Sequence, residues 1–267
     1  MIILIVSDLH NRWDWFDWVA TRKADLTLVA GDLLDEFDDG GILAQILRVE
    51  EWCRGFQGAL ALCSGNHDAN AEALSPQDAG GVKGKEAECL GALLMHEHWM
   101  DALERPSVVT DRRSSLLSTS QGEVVLTTCP YAFDPEEGTQ TTALWRQGAA
   151  LRQGKGKNIP WIVLHHDPPE SHLVGGPMGD PDLPARLHDP GIRPDFLVSG
   201  HLHEQPYIGS FAEKIGSTWC FNPGHPDPLR ATKAKVPNHI ELDLKSRKAT
   251  WHASGRRGSL RRTISLT

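Results

Sequence analysis

Five short apolar runs, each cut off by Asp, Asn or His, constrain this chain more than any other feature. Residues 2–6 run into Ser7-Asp8-Leu9-His10, and 26–30 into Gly31-Asp32-Leu33-Leu34-Asp35. Residues 59–63 run into Ser64-Gly65-Asn66-His67-Asp68, 161–164 into His165-His166-Asp167, and 196–199 into Gly200-His201-Leu202-His203. Apolar runs this short, several of them β-branched, match strands buried on both faces. Together with a similar run at 124–128, they alternate with helix-like stretches near 13–20, 42–54, 87–103 and 141–152, which predicts an α/β protein. In open α/β sheets ligands bind beyond the carboxyl ends of the strands. Five strand ends that deliver such side chains are therefore expected to converge on one site.

The C-terminal third alternates apolar and polar residues near 207–211, 218–221, 239–244 and 249–253, which predicts further strands, antiparallel in part. A length of 267 residues suits one large domain with a well-filled core. The expectation is a single domain over 1–267, ending in a basic strand and tail from about 245. No apolar run approaches the roughly 20 residues of a membrane span, and the apolar N-terminus reads as a buried strand rather than a leader. Five scattered cysteines without a CxxC pair fit buried thiols in a reducing cytoplasm.

The net charge of −8 is uneven. From Lys245 onward there are seven basic residues and no acidic one, so the remainder carries 20 basic and 35 acidic residues. A body this acidic disfavours wrapping long DNA or RNA through phosphate contacts. The basic end reads as a solvated strand and tail.

Taken singly, Asp-x-His, Gly-Asp or His-x-His is a common turn or chance pair. Repeated at five strand ends, the set offers imidazole, carboxylate and amide donors, which suit divalent transition metals such as Mn, Fe, Zn, Co or Ni. Cysteine is absent from it, which argues against a structural zinc site. About seven donors exceed what one ion takes and suit two ions sharing a carboxylate.

The ordered blocks Asp8-Leu9-His10, Gly31-Asp32-Leu33-Leu34-Asp35, Gly65-Asn66-His67-Asp68, His165 and Gly200-His201-Leu202-His203 resemble the calcineurin-like metallophosphoesterase superfamily. The resemblance implies a sandwich of two packed mixed β-sheets flanked by helices, with a dinuclear metal site at the sheet edges. It implies that Asp8, His10, Asp32 and His203 hold one ion. Asp32, Asn66, His165 and His201 would hold the other, with Asp32 bridging and manganese the favoured metal. His67 would be the catalytic histidine. Glu36 and Asp68 stand where protein serine/threonine phosphatases of the superfamily carry other residues, so the blocks look more like its bacterial-type branch of small phosphodiesterases and phosphatases.

Several positions stay open. His165 and His166 are neighbours whose side chains point apart, so only one reaches the cluster; the family pattern favours His165 and leaves His166 and the following Asp167-Pro168-Pro169 on the pocket wall. Asp35 is expected to orient a ligand by a hydrogen bond. Asp68 either orients His67 or closes a turn. Asn11 and Arg12 lie close enough in sequence to touch substrate, Tyr131 follows another strand end, and His172 and Met178 lie in a Gly/Pro-rich loop beside the site. Trp13, Trp15, Phe16 and Trp18 read as a helix packed on the sheet with Trp15, Trp18 and Val19 inward. His96 and His98, two apart on an expected helix, do not face one another. Asn222-Pro223-Gly224-His225 reads as a structural turn.

Two cations about 3.5–4 Å apart can bridge a water and bring its pKa towards neutrality for attack on phosphorus. The reaction expected is hydrolysis of a phosphomonoester or phosphodiester, with a small phosphate-ester substrate favoured and no membrane partner. The rivals are a nuclease acting on DNA or RNA, which would need a positive track to the site, and a non-catalytic protein-binding scaffold on the same fold.

Overall fold

The computed structural model describes all residues except 39–40, 74–83, 94, 97, 132–134, 157, 227–233 and 256–257. In chain order the elements begin β1 (Ile2–Val6), α1 (Trp13–Ala20), β2 (Leu26–Ala30), α2 (Ile42–Gly55), β3 (Ala59–Cys63), α3 (Asn66–Ala69) and α4 (Lys85–Leu93). They continue with β4 (Val108–Val109), β5 (Arg113–Thr119), β6 (Gly122–Thr128), α5 (Pro135–Lys155), β7 (Trp161–Leu164), α6 (Leu183–His188) and β8 (Phe196–Val198). The chain closes with α7 (Gln205–Ile208), β9 (Ala212–Ile215), β10 (Thr218–Phe221), β11 (His239–Asp243), β12 (Lys248–Gly255) and β13 (Gly258–Ser265).

The strands build two mixed sheets, as the resemblance implies. One runs β13-β12-β11-β1-β2-β3-β4, the other β5-β6-β7-β8-β10-β9. The centre of each is parallel: β1, β2 and β3 pair in one, and β6, β7, β8 and β10 in the other. Antiparallel hairpins extend the edges, β11-β12-β13 on the first sheet and β9 on the second. Ile3, Ile5, Leu28, Leu126, Ile162, Leu164 and Phe221 fill the space between the sheets. The opposite faces of the same strands are covered by helices. Leu4, Val6, Val29 and Leu62 pack under Trp15, Phe16, Val19, Ile46 and Val49, while Val125, Val163 and Leu197 pack under Trp145, Leu183 and Leu187. Each such side chain taken fully out of water contributes about 1.5–3 kcal/mol, so the central strands read as unbroken apolar runs.

Three expectations need correction, and β5 was not expected. Residues 207–211 are not a strand: α7 occupies Gln205–Ile208, because Pro206 presets a first helical turn and has no N–H for a ladder. The expected helix over 87–103 stops at Leu93, and a separate 3-10 turn covers Trp99–Leu103; Glu97, between His96 and His98, lies outside the described residues. On α1 it is Phe16, with Trp15 and Val19, that is fully buried, and Trp18 is only partly so. Strand β5 begins Arg-Ser-Ser and lies at a sheet edge, so it carries no apolar run to announce it.

Candidate metal centre

Strands β1, β2 and β3 end side by side in one sheet, and β7 and β8 end beside each other in the other. The loops beyond these ends are tied to one another within the first sheet and across to the second. Asp8 N–H donates to Gly31 O at 3.0 Å and His10 N–H to Asp32 O at 2.9 Å. The backbone N–H of His201 donates to Asp8 Oδ1 at 3.0 Å, and that of His67 to Asp32 Oδ1 at 3.0 Å.

Tight loops of this kind need unusual backbone. Asp8, His10, Asn11, Asp32 and His201 all adopt left-handed φ values, between 43° and 62°. Such conformations cost about 1–3 kcal/mol each and persist where surrounding structure fixes them, often at functional sites. Glycine supplies the clearance. A Cβ on Gly65 would lie 2.6 Å from Asp32 N, one on Gly31 2.7 Å from His166 Cγ, and one on Gly200 2.7 Å from Asp8 Oδ2.

The polar side chains converge around Asp32. Its Oδ2 lies 3.3 Å from His166 Nε2, 3.8 Å from His10 Nε2 and 4.0 Å from His67 Nε2. On one side, His10 Nε2 and His203 Nε2 are 3.2 Å apart, and His203 Nε2 is 3.3 Å from Asp8 Oδ1. Asp8, His10, Asp32 and His203 each bring one donor atom within 4.8 Å of the others. On the other side, His201 Nδ1 sits 3.0 Å from Asn66 Oδ1, and the rings of His166 and His201 have centroids 5.2 Å apart.

His166, and not His165, is the histidine that reaches this cluster. The ring of His165 turns the other way, with Nδ1 3.0 Å from Asp167 O and Nε2 4.0 Å from Asp180 Oδ2. The strand alternation that lets only one of the pair reach the site holds, but it selects the second residue. His166 Nδ1 donates to Ala30 O at 2.7 Å, which fixes its tautomer and aims Nε2 at Asp32.

The remaining candidates separate. The Asp68 carboxylate is fully buried and accepts backbone N–H bonds from Leu33, Leu34 and Gly65, at 3.1, 2.9 and 2.9 Å. It clamps the second loop to the third and does not bond the His67 ring. Asp35 does not bond a candidate ligand either: its Oδ1 accepts from Phe37 N and lies 4.0 Å from His67 Nδ1. Asn11 bonds Asp38 and Trp13, and Arg12 pairs with Asp14 and lies 4.5 Å over the Trp15 ring. Tyr131 borders the site, with its ring centroid 5.8 Å from that of His166. His172 and Met178 are exposed.

Two further residues join the site, one read from the sequence as part of a turn and the other only as pocket wall. His225 stacks on His203 at 4.7 Å and lies 5.6 Å from the His10 ring; the Gly-His pair that ends its turn repeats the Gly200-His201 pattern. Asp167 Oδ1 lies 3.7 Å from His201 Nε2.

The electrostatics match a site built for cations. Burial pushes the Asp8 carboxyl up, but the charges of His203, His166 and His10 outweigh it and hold the group below the usual carboxylate range. Burial likewise raises Asp32, and His166 more than reverses this. Burial lowers His166, yet the Asp32 and Asp8 carboxylates lift it to about 10. Burial lowers His10 and His201, and burial with the His203 charge takes His225 down to about 3.

Divalent cations fit this donor set. Asp8 Oδ2 is buried without a hydrogen-bond partner, a costly state unless something positive takes up its lone pairs. Two imidazole nitrogens facing each other at 3.2 Å are spaced as neighbouring ligands of one ion with bonds of about 2.0–2.1 Å.

The family model for calcineurin-like phosphoesterases matches residues 1–205. No curated protein sequence matches the chain. Among solved structures, TT1561 of Thermus thermophilus aligns over 100% of this chain and 99% of its own, at 14% identity and a TM-score of 0.52. The 5′-nucleotidase precursor of the same organism aligns over 99% of this chain at 10% identity and a TM-score of 0.49. The NAD nucleotidase of Haemophilus influenzae aligns over 100% at 12% identity and a TM-score of 0.47. The chain spans 54% and 53% of the lengths of these last two.

Proposed function

The chain belongs to the calcineurin-like phosphoesterase family, and from that premise we propose that it hydrolyses small phosphate esters with two divalent cations held on either side of Asp32. The observation that carries the reading is the placing of the Asp32 carboxylate between two groups of donors. Asp8, His10 and His203 gather with it in one group and Asn66, His166 and His201 in the other, so one carboxylate would serve both. When bound, the cations would acidify a water for attack on phosphorus and neutralise charge on the phosphoryl oxygens.

The protein's own groups do the rest. Asp68 holds Leu33, Leu34 and Gly65 in register, and so holds Asp32 and Asn66 at the pocket floor. Ala30 O accepts from His166 Nδ1 and so aims Nε2 inward at Asp32. Glu36 N–H donates to His67 Nδ1 at 3.2 Å. The accepting nitrogen carries no proton in this arrangement, so the ring N–H lies on Nε2, the atom nearest Asp32. From there it can hydrogen-bond the leaving oxygen, and with Nδ1 also protonated the imidazolium can pass its Nε2 proton to that oxygen, a general-acid contribution of roughly 10²–10⁴-fold. The acidic body of the chain favours a small substrate over a long nucleic acid.

The test is hydrolysis of chromogenic phosphomonoesters and phosphodiesters by metal-stripped protein reloaded with Mn²⁺, with Asp32→Asn as control. Turnover that needs the metal and disappears in Asp32→Asn supports the reading. A reloaded protein inert on both substrates would sink it.

A further inference from the structure

Outside the Asp32 pocket, on the outer face of the first sheet, β11 and β12 carry a second set of metal-type donors. His239 pairs in register with His252, and Glu241 lies two residues along β11, so all three project from the same face. The opposite face of these strands, with Ile240, Leu242 and Trp251, is buried between the sheets. The donor face is the one on which α1 packs, and the Trp18 ring lies 4.6 Å from that of His239.

The two imidazoles are stacked, with centroids 4.7 Å apart and planes 5° from parallel. One donor atom from each of His239, Glu241 and His252 lies within 4.8 Å of the others. His239 Nδ1 donates to Pro237 O at 3.1 Å, so in the neutral ring the free lone pair is on Nε2. A carbonyl that fixes the tautomer in this way is the usual partner of a metal-binding histidine. His252 Nε2 is buried without a hydrogen-bond partner, 3.6 Å from Glu241 Oε2.

We propose that His239, Glu241 and His252 bind one further divalent transition-metal ion, separate from the pocket around Asp32. Two imidazoles and one carboxylate suit Zn²⁺, Co²⁺ or Ni²⁺ better than Mg²⁺ or Ca²⁺. Three protein ligands leave a position open for water or an outside ligand. Metal bonds of about 2.0–2.1 Å put neighbouring ligands about 3.4 Å apart, so the group must draw in by roughly 1 Å, and because imidazole lone pairs lie in the ring planes, one ring must also rotate out of the stack. Glu241, with its side chain 53% exposed, has the freedom to draw in. Positive charge nearby comes from Arg22, whose guanidinium lies 4.8 Å over the Trp18 ring, and from exposed Arg261 opposite His252 on β13. Neither occupies the donor atoms.

Equilibrium dialysis of the full chain against Co²⁺, with bound metal counted per chain, tests the proposal. Glu241→Gln and His252→Gln should each hold one ion fewer than the unaltered protein, with hydrolysis through the Asp32 pocket unchanged. Glu241→Gln replaces an exposed side chain by one of equal size, so its count is read on folded protein. Because the readout is a difference, it does not depend on how many ions the Asp32 pocket takes. An equal count in Glu241→Gln and the unaltered protein would overturn the third site while leaving the hydrolase reading untouched.

Discussion

His166 Nε2 stands 3.3 Å from Asp32 Oδ2, whereas the ring of the preceding His165 faces Asp180. Two adjacent histidines thus have opposite fates, decided by the hydrogen bond from His166 Nδ1 to Ala30 O on the neighbouring sheet.

The pair gives a direct comparison. His166→Ala should lose metal from the Asn66 side and lower metal-dependent turnover by at least about 100-fold, beyond the usual cost of disturbing an outer-shell partner. His165→Ala should retain metal and most activity. Metal content and initial rates on a chromogenic ester check both. A silent His166→Ala beside a dead His165→Ala would reverse the assignment.

Gly65 tests the clearance around Asp32. An alanine Cβ would stand 2.6 Å from Asp32 N, a backbone atom that cannot rotate aside. Gly65→Ala should destabilise the fold by about 1–3 kcal/mol, as overpacking does, and displace the Asp32 carboxylate. A lower melting temperature together with reduced metal affinity is the expected result; unchanged values in both would refute the steric account.

His67 is expected to act on the leaving group and not on the metals. His67→Ala should keep its bound metal and lose roughly 10²-fold or more on an alkyl phosphate ester, whose leaving oxygen needs a proton. On a nitrophenyl ester, whose leaving group departs unprotonated, the loss should shrink. Equal losses on the two substrates would remove His67 from proton transfer.

Acid should weaken the fold through His239. Its imidazole titrates near 4 when folded, against 6.5 when exposed, because burial disfavours the charged ring. Between these values the unfolded chain binds the proton more readily, so stability is full above pH 6.5 and falls as pH drops towards 4. The loss reaches at most about 3 kcal/mol. Denaturant melts of chelator-treated protein should show this slope, and His239→Gln should flatten it; an identical slope in the variant would remove His239 as the cause.

Much of this molecule can be read from its sequence, for identifiable reasons. Strands β1, β2, β3 and β7 have apolar residues on both faces, so burial leaves an unbroken signal, and their ends deliver Asp8, Asp32, Asn66 and His166 to one place. What escaped depends on contacts between distant segments. The choice between His165 and His166 rests on Ala30, far away in the chain. The role of Asp68 rests on three backbone amides in two loops, which no spacing rule reveals. His225 was hidden because an Asn-Pro-Gly turn is expected wherever it falls, while its stacking on His203 requires the sheets to meet. Residues 207–211 alternate like a strand, but Pro206 turns the chain into a short helix first.

Anomalous diffraction from crystals soaked in Mn²⁺ reaches the centre of the account. It should show two metal peaks flanking the Asp32 carboxylate, one touching Asp8, His10 and His203 and the other touching Asn66, His166 and His201. A lone peak, or metal bound without any contact to Asp32, would contradict it.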